Sequence, residues 1–161
     1  NNSERLELDL IDTSLFFRRI ALSFASSIVD TDIEFTSLIT EDLPSISVDS
    51  LKMRQALLNL LRNAHDACIA ITQPAITLSV SLDPLDSSLL CITVTDNGCG
   101  IKPEDQASVF EPFITHKADG TGLGLAVTRR IILAHHGTIT LDSTPGTGTT
   151  FSITLPIQEN T

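Results

Sequence analysis

The sequence predicts an α+β fold, a two-layer sandwich in which a mixed, mostly antiparallel sheet of about five strands is covered on one face by three helices. Three observations carry this expectation. Apolar residues recur at helical spacing in three stretches. They alternate in strand fashion in about five others. Two pairs of the alternating stretches are separated by short turn-like segments, which makes each pair an antiparallel hairpin.

In chain order, RLELDLID alternates and predicts a strand, and SLFFRRIALSFASSIV predicts an amphipathic helix capped by Thr13 or Ser14. IEFTSLIT is the next strand. DLPSISVD reads as a loop that places Asp49 or Ser50 as the cap of a second helix, SLKMRQALLNLLRNAHDACIAI, which stops before the Gln73 and Pro74 turn. AITLSVSLD and SLLCITVTD form a hairpin across PLDSS, and DNGCG punctuates its end. Ile101 to Gly120 reads as short helix mixed with loop. GLGLAVTRRIILAHH is a third helix closed by Gly137, and TITLDS with TTFSITLP makes the last hairpin.

A length of 161 residues suits one domain over 1–161, with 1–5 as linker remnant and 157–161 as tail. Hydrophobic residues make up 42% with no Trp or Tyr, so Leu, Ile and Val must fill the core. The net charge of −10 is spread without a basic stripe, which argues against a nucleic-acid or anionic-membrane surface. A nucleotide would have to be held by local contacts. Cys68, Cys91 and Cys99 are odd in number and lack metal-ligand spacing, which fits a reducing, cytoplasmic compartment. No apolar run approaches the roughly 20 residues that span a bilayer, and the first residues lack a signal-peptide layout.

Four constellations carry chemistry. With about 100° of rotation per residue, Leu57, Leu61, Ala64 and Cys68 form a core stripe on the second helix, while Asn59, Asn63 and Asp66 gather on the opposite side. Solvation alone accounts for a polar face, but such faces favour Glu, Lys and Arg, whereas asparagine is a poor helix former with a useful carbonyl oxygen. In VTDNGCGI, Asp96 ends a strand before Gly98 and Gly100. A hairpin turn explains the glycines. Equally, a fixed carboxylate can accept a hydrogen bond from an exocyclic amine where glycines admit a flat base. Gly120, Gly122 and Gly124 precede the third helix, whose N-terminus can receive phosphate, although a hinge would use the same glycines. The spacing is neither a dinucleotide fingerprint nor a P-loop. Gly146, Gly148 and Thr149 in PGTGTTF read as a hairpin turn with a hydroxyl at the start of the last strand.

Taken together and in order, NLLRNAHDA, DNGCG, FEPF, GTGLGL and GTTF resemble the N, G1, F, G2 and G3 boxes of the ATP-binding catalytic domain of sensor histidine kinases. The resemblance covers nearly the whole chain and implies the fold shared with gyrase B, Hsp90 and the mismatch-repair ATPases. It implies ATP and Mg²⁺ as ligands. Asn63 resembles the asparagine that ligates Mg²⁺, and Asn59 the residue that assists near the phosphates. Asp96 matches the adenine-reading aspartate, with Gly98 and Gly100 shaping the pocket and Thr149 supporting the base directly or through water. Gly122 and Gly124 resemble the phosphate glycines between lid and helix. The resemblance also places Asp66, Ile101, Thr121 and Leu123 at the nucleotide site. Phe110 and Phe113 match the F box, which is compatible with their being ordinary core aromatics. The lid, THKAD between Ile114 and Gly120, resembles the short variant of nitrogen-regulation-type kinases, and Lys117 is the cation nearest the β- and γ-phosphates, unless it is only a solvated lysine.

In the hydrolysing relatives a glutamate one turn before the magnesium asparagine activates water, and here that position is Asn59. An amide cannot take a proton from water, so transfer is expected rather than hydrolysis. The family's acceptor histidine lies on a separate dimerisation domain. His65 and Asp66 mimic an acceptor pair but fall inside the N box and are rejected in that role; His116, His135 and His136 have no evident catalytic partner in the sequence. The resemblance implies a phosphoacceptor domain of the same protein, a response regulator and a homodimeric full-length protein, with membrane anchoring, if any, outside this domain. Two other readings use the same fold, an ATP-driven conformational module and an anti-sigma-type serine kinase.

Overall fold

The computed structural model describes residues 5–112 and 124–157. Strand β1 (Asp9–Ile11) leads into helix α1 (Thr13–Ser27). The helix is capped by Asp12, whose carboxylate accepts from the Leu15 N–H at 3.1 Å, and not by the expected Thr13 or Ser14. Those two are inside the first turn with their hydroxyls already committed, to Pro44 O at 2.6 Å and Thr40 O at 2.8 Å. They pin the helix start to the following chain, a use that local sequence cannot distinguish from capping.

Strand β2 (Glu34–Ile39) is followed by β3 (Ile46–Val48), which lies within the segment expected to be a loop. β3 pairs antiparallel with β1, Asp9 opposite Val48 and Ile11 opposite Ile46, and Ile46 and Val48 are buried. The proline and serines of DLPSISVD obscured two alternating apolar residues, and RLELDLID contributes only its last part to the strand.

Helix α2 (Ser50–Ala67) is capped by Asp49, which accepts from the Lys52 N–H at 3.1 Å. β4 (Ala75–Leu82) and β5 (Leu89–Asp96) form the first hairpin, followed by the short α3 (Pro103–Gln106). Helix α4 (Gly124–Ala134) leads to the second hairpin, β6 (Thr138–Thr144) and β7 (Gly148–Pro156). The main sheet has the order β2-β4-β5-β7-β6; β2 runs parallel to β4 and the other pairs are antiparallel. The mixed five-stranded sheet and α+β class match the expectation, and the four helices among the described residues include one of a single turn.

The period of two explains the layering. Ile76, Leu78 and Val80 of β4, Leu90, Ile92 and Val94 of β5, and Phe151, Ile153 and Leu155 of β7 are buried on one face. The alternate positions, such as Thr77, Ser79, Thr93, Ser152 and Thr154, are only partly covered. Phe17, Ile20 and Phe24 of α1, Met53, Leu57, Leu60, Leu61 and Ala64 of α2, and Ile131 and Ile132 of α4 complete the core from the helix side. The core stripe expected on α2 is therefore present, widened by the buried Met53, Ala56 and Leu60, and α4 packs against the same helix.

Candidate functional site

Strand alternation delivers two polar residues to the helix-covered face. Asp96 follows Val94 by two and Thr149 precedes Phe151 by two, so both continue the buried rows to the end of the sandwich, and the two are directly opposed across β5 and β7. Asp96 is only 5% exposed and Thr149 4%. One Asp96 oxygen accepts from the Gly98 N–H at 2.8 Å, and the Thr149 backbone N–H also donates to the carboxylate. Burial nevertheless dominates and pushes the Asp96 carboxyl above the ordinary aspartate value, with those two N–H groups pulling in the opposite direction.

The glycines around this pair are required by close approach. A Cβ on Gly98 would stand 2.5 Å from Ala67 O, because the loop after β5 folds onto the end of α2, where the Cys99 N–H donates to Ala67 O at 3.1 Å. Gly148, at φ +141°, passes directly over Asp96 O, and Gly100, at φ +75°, over Thr144 O. The turn reading of these glycines and the site reading hold together, since the same turns bring the three segments into contact. Asn97 ties the loop to β4, accepting from Ala75 N–H at 2.8 Å and donating to Gln73 O at 3.0 Å.

On α2, Asn59 and Asn63 are half-buried and Asp66 is more exposed. Ala67 lies one turn beyond Asn63, so this helix face runs towards Gly98. Asn59 Nδ2 donates to Gly124 O at 3.2 Å, which orients the amide and leaves Oδ1 free of that contact. The same carbonyl accepts from Thr128 Oγ1 at 2.8 Å. The start of α4 is thereby fixed beside the middle of α2. His65 Nδ1 and Asp66 Oδ1 are 3.1 Å apart, a local pair on the helix surface.

Asn59, Asn63 and Asp66, the Asp96 to Ile101 loop, Thr149 and Gly124 therefore come from four neighbouring segments. Lys117, Thr121, Gly122, Leu123 and Phe113 lie outside the described residues. Phe110 meets Phe151 edge-on, with ring centroids 6.0 Å apart, and so packs against the core. A depression of about 370 Å³ lies over α4, lined by Phe110, Pro112, Ala126, Arg129, Arg130 and Leu133 among others, and includes none of the predicted site residues. The buried carboxylate and its glycine turns are chemically the more specific feature.

Sequence reasoning missed Ser143. Its Oγ accepts from the Ile101 N–H at 2.8 Å, donates to Gly148 O at 3.0 Å and lies 2.8 Å from Thr149 Oγ1. Gln106 Nε2 braces the same corner by donating to Ile101 O at 2.9 Å and Ser143 O at 3.1 Å. The only signal available was the position of Ser143 just ahead of the PGTG turn.

The family model of histidine kinase-, DNA gyrase B- and HSP90-like ATPases matches residues 48–159. Signal transduction histidine-protein kinase AtoS of Escherichia coli is 41% identical over 129 residues, covering 80% of this chain and 21% of that protein. Sensor histidine kinase ZraS of Escherichia coli is 34% identical over 152 residues, covering 94% of this chain and 32% of its own length. The chain thus spans only a fifth to a third of these relatives. Among solved structures, full-length ShkA in complex with AMPPNP superposes with a TM-score of 0.81 at 28% identity, over 97% of this chain and 32% of ShkA. The catalytic domain of histidine kinase ThkA in a nucleotide-free form gives 0.81 at 27% identity, over 94% of this chain and 99% of that domain. The model match and the superposition span the opposed Asp96 and Thr149 as well as the asparagine-bearing helix, and the chain belongs to the family of histidine kinase-, DNA gyrase B- and HSP90-like ATPases.

Proposed function

We propose that this chain is the catalytic domain of a sensor histidine kinase, which binds Mg²⁺-ATP and donates the γ-phosphoryl group to a histidine on a separate phosphoacceptor domain. The observation that carries the reading is the buried Asp96, opposed to Thr149 and enclosed by glycine turns, at the open end of the sandwich. A carboxylate there accepts from the exocyclic amine of adenine, and Gly98, Gly100 and Ile101 would shape the pocket through the close-packed turn they form. Thr149 supports the base directly or through water. Asn59, Asn63 and Asp66 on one side and Gly124 on the other would flank the phosphates; Thr121, Gly122, Leu123 and the cation Lys117, outside the described residues, are assigned to the phosphates on the motif resemblance alone.

The donor chemistry fits Mg²⁺. Among the described residues no group of three His, Cys, Asp or Glu is placed to hold a metal, so an ion at this site would rely on amide and phosphate oxygens, the hard ligands Mg²⁺ prefers. Asn63 would hold it, and bound Mg²⁺ would offset charge on the phosphates.

Asn59 stands where a water-activating base would be needed for hydrolysis. Its amide is engaged with Gly124 O and cannot take up a proton, so γ-phosphoryl transfer to a partner nucleophile is favoured over attack by water. The partners are a dimerisation and phosphoacceptor domain of the same protein and, downstream, a response regulator; the full-length protein would be a homodimer. On the kinase reading together with the three free cysteines we place this domain in the cytoplasm; separately, no described helix is long and apolar enough to cross a membrane.

The test is γ-labelled ATP given to the chain alone and then with a phosphoacceptor domain supplied in trans. Binding with little turnover alone, and label on the acceptor histidine after mixing, is expected because positioning supplies much of the rate in phosphoryl transfer. Brisk phosphate release without a partner, or label on His65, would overturn the reading.

A further inference from the structure

We propose that Ser143 sets the hydrogen-bonding polarity of the base pocket, and so discriminates 6-amino from 6-oxo purines, by forcing the Thr149 hydroxyl to point its proton away from the ligand. The inference deepens the nucleotide-binding reading above and rests on it.

The argument is a proton count. A serine hydroxyl has one proton and two lone pairs. Gly148 O is a carbonyl and can only accept, so the 3.0 Å contact from Ser143 Oγ uses the serine's proton. The Ile101 N–H at 2.8 Å can only donate, so it occupies one serine lone pair. The remaining contact, 2.8 Å to Thr149 Oγ1, is then satisfied only with Thr149 as donor and the last serine lone pair as acceptor. Thr149 is left with lone pairs alone for anything that enters the site. Its neighbour across the sheet, Asp96, takes two N–H donors and otherwise also presents only acceptor capacity. Two adjacent buried acceptors suit a ligand edge that carries an amino group, with any water between them and the base turning its protons outward. The 6-amino group carries two protons for these two acceptors, whereas a 6-oxo purine places a carbonyl oxygen there and has only its N1–H to donate, so at least one acceptor faces lone pairs.

Ser143 acts through Thr149 and through the two backbone groups it joins, so it is a positioning residue. Its contacts span both walls of the pocket, the loop after β5 at Ile101 and the first residue of β7, Gly148. A purely architectural role would affect every purine nucleotide alike. A polarity role affects the ratio between them.

The experiment measures calorimetric Kd values of Mg²⁺-ATP and Mg²⁺-inosine triphosphate for the chain, for Ser143→Ala, for Ser143→Thr and for Ser143→Cys, with thermal melts to confirm folding. Ser143→Ala frees the Thr149 proton to rotate into the site, and the preference for ATP over inosine triphosphate should fall about tenfold, the scale expected for one misdirected polar contact. Ser143→Thr keeps the hydroxyl and should keep the preference. Ser143→Cys retains most of the volume with weak hydrogen bonding, so it should lose most of the preference and serves if the alanine variant does not fold. In a Thr149→Val background the alanine change should no longer alter the ratio. Equal weakening of both nucleotides, or an unchanged ratio, in the folded alanine or cysteine variant would overturn the proposal. No preference in the unaltered chain would instead defeat the adenine reading itself.

Discussion

The backbone N–H of Asp49 donates to Nε2 of His135 at 3.0 Å, joining the cap of α2 to the end of α4. Nδ1 of the same ring lies 2.8 Å from Ile131 O, which can only accept, so the single ring proton is on Nδ1 and the ring is neutral. In the fold His135 acts as a buried two-ended strut. Asp49 is engaged on its other side as well, its carboxylate accepting from the Glu7 N–H at 3.0 Å.

Loss of this strut should be felt as stability. We expect His135→Ala to destabilise the chain by about 1–3 kcal/mol, because the buried Asp49 N–H is left without an acceptor. His135→Gln should recover part of the loss, since Oε1 can occupy the acceptor position. Urea denaturation of the two variants checks this; equal losses would show that packing alone matters at the site.

Asp49 should add an acid-sensitive contribution. Burial raises its carboxyl, but the Glu7 and Lys52 N–H groups, together with the charge of Lys52, outweigh that and hold it below the ordinary 3.8. A lowered folded-state value means stability that is present above pH 3.8 and lost as pH falls through the folded value. Asp49→Ala should cost about 0.5–2 kcal/mol as a lost cap. Asp49→Asn should keep much of the cap while removing this acid-dependent component, read from melts across pH 2–5 at roughly half-unit steps.

Asp96 should behave in the opposite sense. Its raised carboxyl means that the folded chain keeps this proton to higher pH than the unfolded chain, so its contribution is most favourable below 3.8 and declines as pH rises through the folded value. At neutral pH the buried carboxylate is a liability to the fold. Asp96→Asn should therefore leave the melting temperature unchanged or raised while weakening ATP binding by about 1.5–3 kcal/mol, as expected for loss of a hydrogen bond to a charged group. ATP affinity of the unaltered chain should decline on acidification in a window above 3.8, and the variant should lose that dependence. A variant that loses fold and binding together would contradict the separation.

The glycines offer a steric check. Gly148→Ala combines a φ of +141° with a Cβ driven onto Asp96 O, and Gly98→Ala drives one onto Ala67 O. Each should destabilise by about 1–3 kcal/mol as overpacking against backbone, Gly148→Ala the more because of its φ. Gly146→Ala meets no neighbouring atom and has only its φ of +79° to contend with, so it should be the mildest of the three. Chemical denaturation in that order is the measurement.

On α2, Asn63→Ala should abolish the Mg²⁺ dependence of nucleotide binding without unfolding the helix, since the residue is only half-buried. Asn59→Glu should raise phosphate release modestly by restoring a base, at some loss of the Gly124 tie. Titrations with and without Mg²⁺, and a phosphate-release assay, decide the two cases.

The regular part of this molecule was legible because its signals are periodic. Alternation marked both hairpins and helical spacing marked α1, α2 and α4, while Asp96 and the glycines were visible as punctuation at strand ends. What stayed hidden depends on residues distant in sequence. Asp12 caps α1 because Thr13 and Ser14 donate to Pro44 O and Thr40 O respectively, and β3 exists because β1 pairs with it. Ser143 and His135 have roles fixed by partners such as Ile101 and Asp49, which no local pattern connects to them.

The parallel pairing of β2 with β4 has a consequence for the order in which the molecule assembles. β2 is an edge strand with one partner in the sheet, and Glu34 can meet Ala75 only after β3 and α2 have been traversed. The two hairpins close over short loops, whereas this contact carries a larger loop-closure entropy, so it should form late in refolding. During synthesis from the N-terminus β2 emerges before the strand it must join and waits unpaired until the first hairpin follows. The same edge should be among the first segments to open in the finished protein, exchanging its amide protons ahead of β5 and β7 at the centre of the sheet.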